Sequence, residues 1–309
     1  MWRYLSVRLM QMLLALWAVS VVAFTLTHLS GNPVDALSPD DVSPEQTAAL
    51  IKHWGLDKPL SEQYLTFLGN AIQGDFGQSI KFRGEPAMGV VLSRLPATLE
   101  LGLCGLIFSI MAAIPLGVVS AWHRGSIIDT SANAIALFGQ SIPPFWLGII
   151  LIWVFAVTLG WLPTSGRGSF AHIVMPAFSM AAFQIAALVR ITRSAMLEVL
   201  DEEYIKLARL KGVSETRVVW VHAFRNATLA PLTYLGILAG SMLTGSVVIE
   251  TVFSWPGTGL LAIEAITARD FPVVQAVVIL FATIFLSINF FIDAIYALVD
   301  PRIRDGAAR

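Results

Sequence analysis

Six long apolar stretches, at about 9–30, 97–121, 132–160, 172–196, 229–253 and 273–299, alternate with polar segments along the chain. Each has the length of about 20 residues that a helix needs to cross the hydrocarbon core of a bilayer. The pattern predicts an all-α integral membrane protein with six transmembrane helices, forming a single transmembrane domain. The first stretch follows a short basic start and resembles a secretion signal. It is too long for one and no small-residue cleavage site follows it, so it reads as a retained span. Proline interrupts three of the stretches, at Pro115, at Pro143–Pro144 and at Pro176. A broken helix facing lipid leaves backbone groups unsatisfied, so these sites are expected to face neighbouring helices or a cavity, or to be simple kinks.

Two polar segments stand out between the apolar ones. The segment 197–228 contains Asp201–Thr228, DEEYIKLARLKGVSETRVVWVHAFRNAT, which holds Lys206, Arg209, Lys211, Arg217 and Arg225. Tyr204, Leu207, Ala208 and Leu210 fall at helical spacing, with Lys206 and Arg209 on another face. Gly212 suits a left-handed turn that closes this helix, and Ser214 suits the cap of a second one carrying Trp220, His222 and Phe224. Such a helix-turn-helix cannot sit in lipid and must lie against the bilayer or a soluble partner. The other segment, residues 31–95, is long enough to fold. Ser43-Pro44-Glu45-Gln46 is a capping box, Gly55 can end that helix, and Ser61 can cap the next, with Leu60 and Leu65 as a staple and Gly74 as its end. Between Gly31 and Ser93 lie eight acids and four bases, either an acidic cap for a basic partner or ordinary solvation.

Composition supports the membrane assignment. The chain of 309 residues is 56% hydrophobic and 13% charged, with a mean hydropathy of +0.73. Its net charge of −1 gives no footing for nucleic acid. With the N-terminus inside, 13 Lys and Arg fall in inner segments and 7 in outer ones, which predicts that both termini and the 197–228 segment are cytoplasmic. No phosphate-binding G-x-x-x-x-G-K-[ST] loop occurs, so the chain does not hydrolyse ATP by that route. The five histidines are scattered, and the lone Cys104 makes no metal site. Asp293, near the end of the sixth stretch, reads as a structural partner rather than a proton relay, so energy for transport is expected to come from elsewhere. A DNA-binding helix-turn-helix, an ion-coupled carrier and an intramembrane enzyme are the readings set aside. On the fifth stretch Gly236, Gly240 and Gly245 form a small-residue face suited to a helix interface, a conduit or internal packing. Beyond it, Glu250–Gly259, with Trp255 as an anchor, suits a bent outer cap. Glu250 either faces a cation or is simply wet.

Several blocks then resemble a known family. They are Leu56-Asp-Lys-Pro-Leu60 with Gln63-Tyr64, Gly74-Asp-Phe-Gly77, Leu95-Pro-Ala-Thr-Leu-Glu-Leu-Gly102, and Arg190-Ile-Thr-Arg-Ser-Ala-Met-Leu-Glu-Val-Leu200. Tyr204-Ile-Lys-Leu-Ala-Arg-Leu-Lys-Gly212 with His222-Ala-Phe-Arg-Asn226, Phe253-Ser-Trp-Pro-Gly257 and Asp300-Pro-Arg-Ile-Arg304 complete the set. Together they resemble the permease subunit of binding-protein-dependent ABC importers, in the oligopeptide/dipeptide/nickel group. The resemblance implies that 197–228 is the cytoplasmic EAA-type coupling loop. Tyr204, Lys206, Ala208, Arg209, Lys211, Gly212, Arg217, His222, Arg225 and Asn226 would then face a partner ATPase. The triplet that names the loop falls on Lys206-Leu207-Ala208, of which only Ala208 matches. The same resemblance implies a bacterial inner membrane and a second homologous permease. It also implies two cytoplasmic ATPases that bind the ATP and Mg, and a periplasmic or lipid-anchored solute-binding protein. The implied cargo is short peptides, with nickel or its chelates, glutathione or opine-type compounds as alternatives.

Overall fold

The computed structural model describes residues 2–29, 57–82 and 84–299. Among them there is no strand, only an isolated bridge between Gln78 and Pro86. The capping box at 43–46, Gly55 and the Asp300–Arg304 block lie outside the described residues. Four helices among the described residues, against the six expected, are long and apolar enough to cross a membrane, and a bent pair brings the number to five if it counts as one span. The protein is an all-α, multi-pass membrane protein. The chain divides into two compact units, Met1–Thr98 with Pro256–Arg309, and Leu99–Trp255.

In the first unit, α1 (Trp2–Leu29) packs on the last helix, α12 (Phe271–Val299). Both are apolar on all sides, and Leu9, Leu13, Leu14 and Trp17 of α1 are exposed, as suits residues facing lipid. Arg8 pairs with Asp293 at 3.2 Å. This contact makes the two helices antiparallel and sets the start of α1 and the end of α12 on the same side. It also gives Asp293 the structural role expected of it.

At the other end of α1, the helix α2 (Leu60–Ile72) is held by aromatic contacts. Phe24 meets Tyr64 edge to face at 5.4 Å, and Ser20 Oγ lies 2.8 Å from the Tyr64 hydroxyl. The expected cap and staple of α2 are not formed. The helix starts two residues early, Pro59 stands at its N-cap without a side-chain bond, and Leu60 and Leu65 are exposed. The ring of Pro59 presets φ at −55° and so fixes the entry ahead of Ser61. Gly74 ends the helix as expected, at φ +78°. The segment after it folds onto α11 (Thr258–Thr267) and the start of α12, burying Phe76, Val90, Val91, Leu261 and Val273 in one core. Asp270 anchors this end. Its fully buried carboxylate accepts hydrogen bonds from Ser79 Oγ at 2.5 Å and from the Lys81 N–H at 3.0 Å.

The chain passes between the units along α3 (Ala87–Trp122), a 36-residue helix that runs unbroken through Pro96 and Pro115. In the second unit α4 (Ile127–Ser141) is followed by α5 (Pro144–Leu151), which continues as a π-helical turn, Ile152–Thr158. The single third span expected over 132–160 is therefore two helices, bent by 99°. The cause is local. A residue before proline is pushed out of the helical region, and this happens twice in succession: Ile142 and Pro143 both take extended angles, with ψ 122° and 134°. Pro144 then starts α5, where its missing N–H costs nothing.

The long helix α6 (Phe170–Leu200), capped by Ser169, packs on α4, α5 and α10 (Leu229–Val252). The crossing of α3 and α6 is tight. A Cβ added at Gly117 would lie 2.6 Å from Thr192 Cβ and 2.9 Å from the Val189 carbonyl oxygen. A Cβ at Gly105 would find its nearest neighbour at 3.6 Å. Gly117→Ala is therefore expected to destabilise the detergent-purified protein by about 1–3 kcal/mol. Gly105→Ala should stay within about 0.5 kcal/mol of the parent in the same thermal-unfolding experiment.

Candidate functional site

The segment between α6 and α10 is the polar two-helix protrusion that the pattern of charges predicts. Its first arm, α7, is Glu203–Leu210. Gly212 takes φ +78° and its N–H bonds the Arg209 carbonyl, closing the helix. A Cβ at Gly212 would meet nothing within 4 Å, so within this chain the glycine is required by backbone angle and not by close approach. The second arm is not one regular helix. It runs as α8 (Glu215–Arg217), a π-helical turn over Val218–Ala223 and α9 (Phe224–Ala227). Ser214 sits at the N-cap position with extended angles, but its side chain makes no capping bond.

The arms are joined by a core that reaches into the membrane helices. Val118 and Ala121 of α3, Met196 of α6, Ile205 of α7 and Val218, Val219 and Ala223 of the π-helical turn are buried together. This choice of core fixes the inward face of α7. Ile205 and Ala208 point inward, while Leu207 is 51% and Leu210 85% exposed. Tyr204, Lys206, Arg209, Lys211, Gly212, Arg217, Arg225 and Asn226 are also exposed. Trp220 of the second arm packs against the core, and His222 is half-buried. The outer face therefore mixes apolar and basic groups. Some of the basic groups have partners within the protrusion. Arg209 pairs with Glu215 at 3.0 Å, Lys206 with Glu203 at 3.0 Å, and Asn226 donates to the Tyr204 hydroxyl at 2.7 Å. Such exposed pairs contribute little stability, so they can be exchanged for partners on another protein at small cost.

Beneath the protrusion lies a charge cluster that sequence reading missed. Arg193 of α6 grips Asp129 of α4 through two bonds, Nε to Oδ1 at 2.7 Å and Nη2 to Oδ2 at 2.8 Å. Ser120 Oγ at the end of α3 donates to the same carboxylate at 2.6 Å, the Gly125 N–H at 2.9 Å and the Asn133 amide at 2.8 Å. One buried acid thus ties α3, α4 and α6 together at the end from which the protrusion springs. Arg193 was visible within a family-like block, but the sequence holds no local sign that its partner stands 64 positions away.

The five residues proposed for a helix interface or path are placed differently. Gly236, Gly240 and Gly245 all lie on α10, which packs on α5 and α6; Gly240 is buried and Gly236 half-buried within this chain. Glu250 and Trp255 are fully buried, so they line no open path in this structure, and Glu250 is not the wet boundary residue that was one of its two readings. The bend after α10 is real. Ser254 takes φ +47°, the Trp255 N–H bonds the Glu250 carbonyl at 2.8 Å, and the Arg167 guanidinium lies 5.9 Å from the Trp255 ring centre.

Asp129→Ala is expected to destabilise the protein by roughly 2–4 kcal/mol, because Arg193 would keep its desolvated position and lose its charge partner. The measurement is thermal unfolding in detergent, with Asp129→Asn expected to fall between the variant and the parent.

Comparisons with known proteins agree with this geometry. The family model described as "Binding-protein-dependent transport system inner membrane component" matches residues 113–305, and the companion model for the N-terminal part of such membrane components matches residues 1–102. A di/tripeptide transport system permease protein, DppB of Pseudomonas aeruginosa, is 40% identical over 97% of this chain and 98% of its own length. The oligopeptide transport system permease protein AppB of Bacillus subtilis is 38% identical over 97% of this chain and 98% of its own length. The glutathione transport system permease protein GsiC of Escherichia coli is 38% identical over 98% of this chain and 99% of its own. Among solved structures, a chain of the inward-facing MetNI methionine ABC transporter superposes with a TM-score of 0.55 at 23% identity. It covers 70% of this chain and 99% of the other, and supports the fold.

Proposed function

This chain belongs to the binding-protein-dependent transport system inner membrane components, and we propose that it forms half of the path through which an ATP-driven importer takes up short peptides. It is a permease subunit of a multi-pass inner-membrane ABC importer of the peptide group. Relatives at 40% and 38% identity that carry di/tripeptides and oligopeptides support peptide as the cargo. The glutathione permease relative supports a second reading, in which the peptide is glutathione, itself a tripeptide carrying free carboxylates.

The observation that carries the mechanism is the protrusion with Leu207 and Leu210 turned outward from a core shared with α3 and α6. An exposed apolar pair ringed by Lys206, Arg209 and Lys211 suits a groove on a soluble partner. In this reading the partner is one of two ATPase subunits, which bind the ATP and Mg that this chain does not. Their closure would press the protrusion, and the shared core would pass the displacement to the spans, which alternate between inward- and outward-open states. A second, homologous permease completes the path, and a solute-binding protein delivers the peptide from outside. The Arg8–Asp293 pair brings the ends of α1 and α12 to one side, and the excess of Lys and Arg in the segments assigned to that side supports the cytoplasm.

The test changes the outer face only. Leu207→Asp with Leu210→Asp leaves the core untouched, since both side chains are largely exposed. In proteoliposomes holding the assembled importer and its binding protein, the double variant is expected to lose ATP-driven tripeptide uptake about tenfold or more, and to lose co-purification with the ATPase subunits. Unchanged uptake and co-purification would show that coupling does not run through this face.

A further inference from the structure

A second feature of the second unit has no place in the mechanism above. A cavity of ≈ 550 Å³ lies among α4, α6 and α10, and Arg190, Ser194 and Glu198 of α6 form one of its walls. These residues follow one another at intervals of four, so they share a stripe on one helix face, and all three are exposed in this chain. The helix is a membrane span by length and apolarity. A face that carries an arginine and a glutamate does not turn to hydrocarbon; it faces water or a polar occupant. Arg193, on the neighbouring face, is held by Asp129, whereas among the described residues neither Arg190 nor Glu198 has an ion-pair partner.

The two charges are of opposite sign and stand eight residues apart on one helix, about 12 Å along the axis at 1.5 Å per residue. An extended tripeptide reaches about 10 Å between its ends. Gln140 and Tyr234 line the cavity as well and offer neutral hydrogen-bonding groups for backbone amides. Three alanines complete much of the wall and leave room for side chains of different size. The cavity volume lies within the range of ordinary small-ligand sites, roughly 300–1,000 Å³.

We propose that this cavity is a station for short peptides in transit, where Arg190 holds the free carboxylate and Glu198 the free ammonium group. The assignment rests on the peptide-importer reading and adds a site to it. Arg190 presents a planar fork matched to a carboxylate, and Glu198 supplies the opposite charge at the end of α6 that leads into the protrusion. Recognition by the two termini alone is tolerant of sequence, which is what a shared path for many peptides requires. The Glu198 end of the stripe also lies two residues from Met196, a member of the core under the protrusion, so an occupied station bears on the helix end that the ATPases would move.

The test measures equilibrium binding of radiolabelled tri-alanine to the assembled permease–ATPase complex in detergent, with no binding protein present. The wild-type complex is expected to bind tri-alanine at least about tenfold more tightly than its C-terminal amide or its N-acetyl derivative, an effect of the size of one charge-assisted hydrogen bond. Arg190→Gln should weaken tri-alanine by the same factor and abolish the preference for acid over amide. Glu198→Gln should abolish the preference for the free amine. Wild-type protein that binds no tri-alanine, or binds all three compounds alike, overturns the station, and so does an Arg190→Gln complex that keeps the acid preference. The blocked peptides need no variant, so a misfolded substitution does not decide the matter. ATP-driven tri-alanine uptake by wild-type proteoliposomes with the binding protein separates the two levels. Uptake without the binding preferences removes the station alone, while no peptide uptake at all removes the importer reading on which it stands.

Discussion

A single carboxylate organises the base of the polar protrusion. Asp129 collects the Arg193 guanidinium, the Ser120 hydroxyl, the Asn133 amide and the Gly125 N–H around two oxygens. Removing a carboxylate from water is costly, and only a full set of donors offsets that cost. The set comes from three separate helices, so satisfying the acid forces α3, α4 and α6 into one arrangement. The protrusion inherits that arrangement, because its core is completed by Val118 and Ala121 from α3 and Met196 from α6. Its position relative to the spans of its own unit is therefore set by buried polar chemistry at the base and by apolar packing just above it.

The bilayer imposes the complementary constraint. Apolar side chains on α1 and elsewhere remain exposed because lipid, not protein, is their partner. The approach of α5 to the residue that ends α10 is close enough that a Cβ on Gly148 would lie 2.9 Å from the Phe253 ring. On α6, Arg193 is paired with Asp129, while Arg190 and Glu198 stand on a cavity wall.

The first unit solves a similar problem at its other end. Asp270 is buried and binds Ser79 and the Lys81 N–H, while Lys81 reaches Glu264 at 2.6 Å. These contacts fasten residues 79–82 to α11 and to the start of α12. Both units thus use a buried aspartate near a helix start to hold segments distant in sequence.

Membrane class, the polar protrusion and its glycine turn all followed from local properties of the sequence. Twenty-residue apolar runs have only one stable solution in lipid, and Gly212 adopts an angle that other residues resist. The successive prolines at 143 and 144 were legible as an interruption, but not its 99° magnitude. The burial of Ile205 on α7 was not legible. An eight-residue helix with apolar groups on two sides offers two possible cores, and only Met196 and Val219, arriving from other elements, select Ile205 over Leu207. The partnership of Asp129 with Arg193 and the burial of Glu250 belong to the same class. Periodicity fixes which residues share a face; which face is covered depends on what packs against it, and that is decided only in three dimensions.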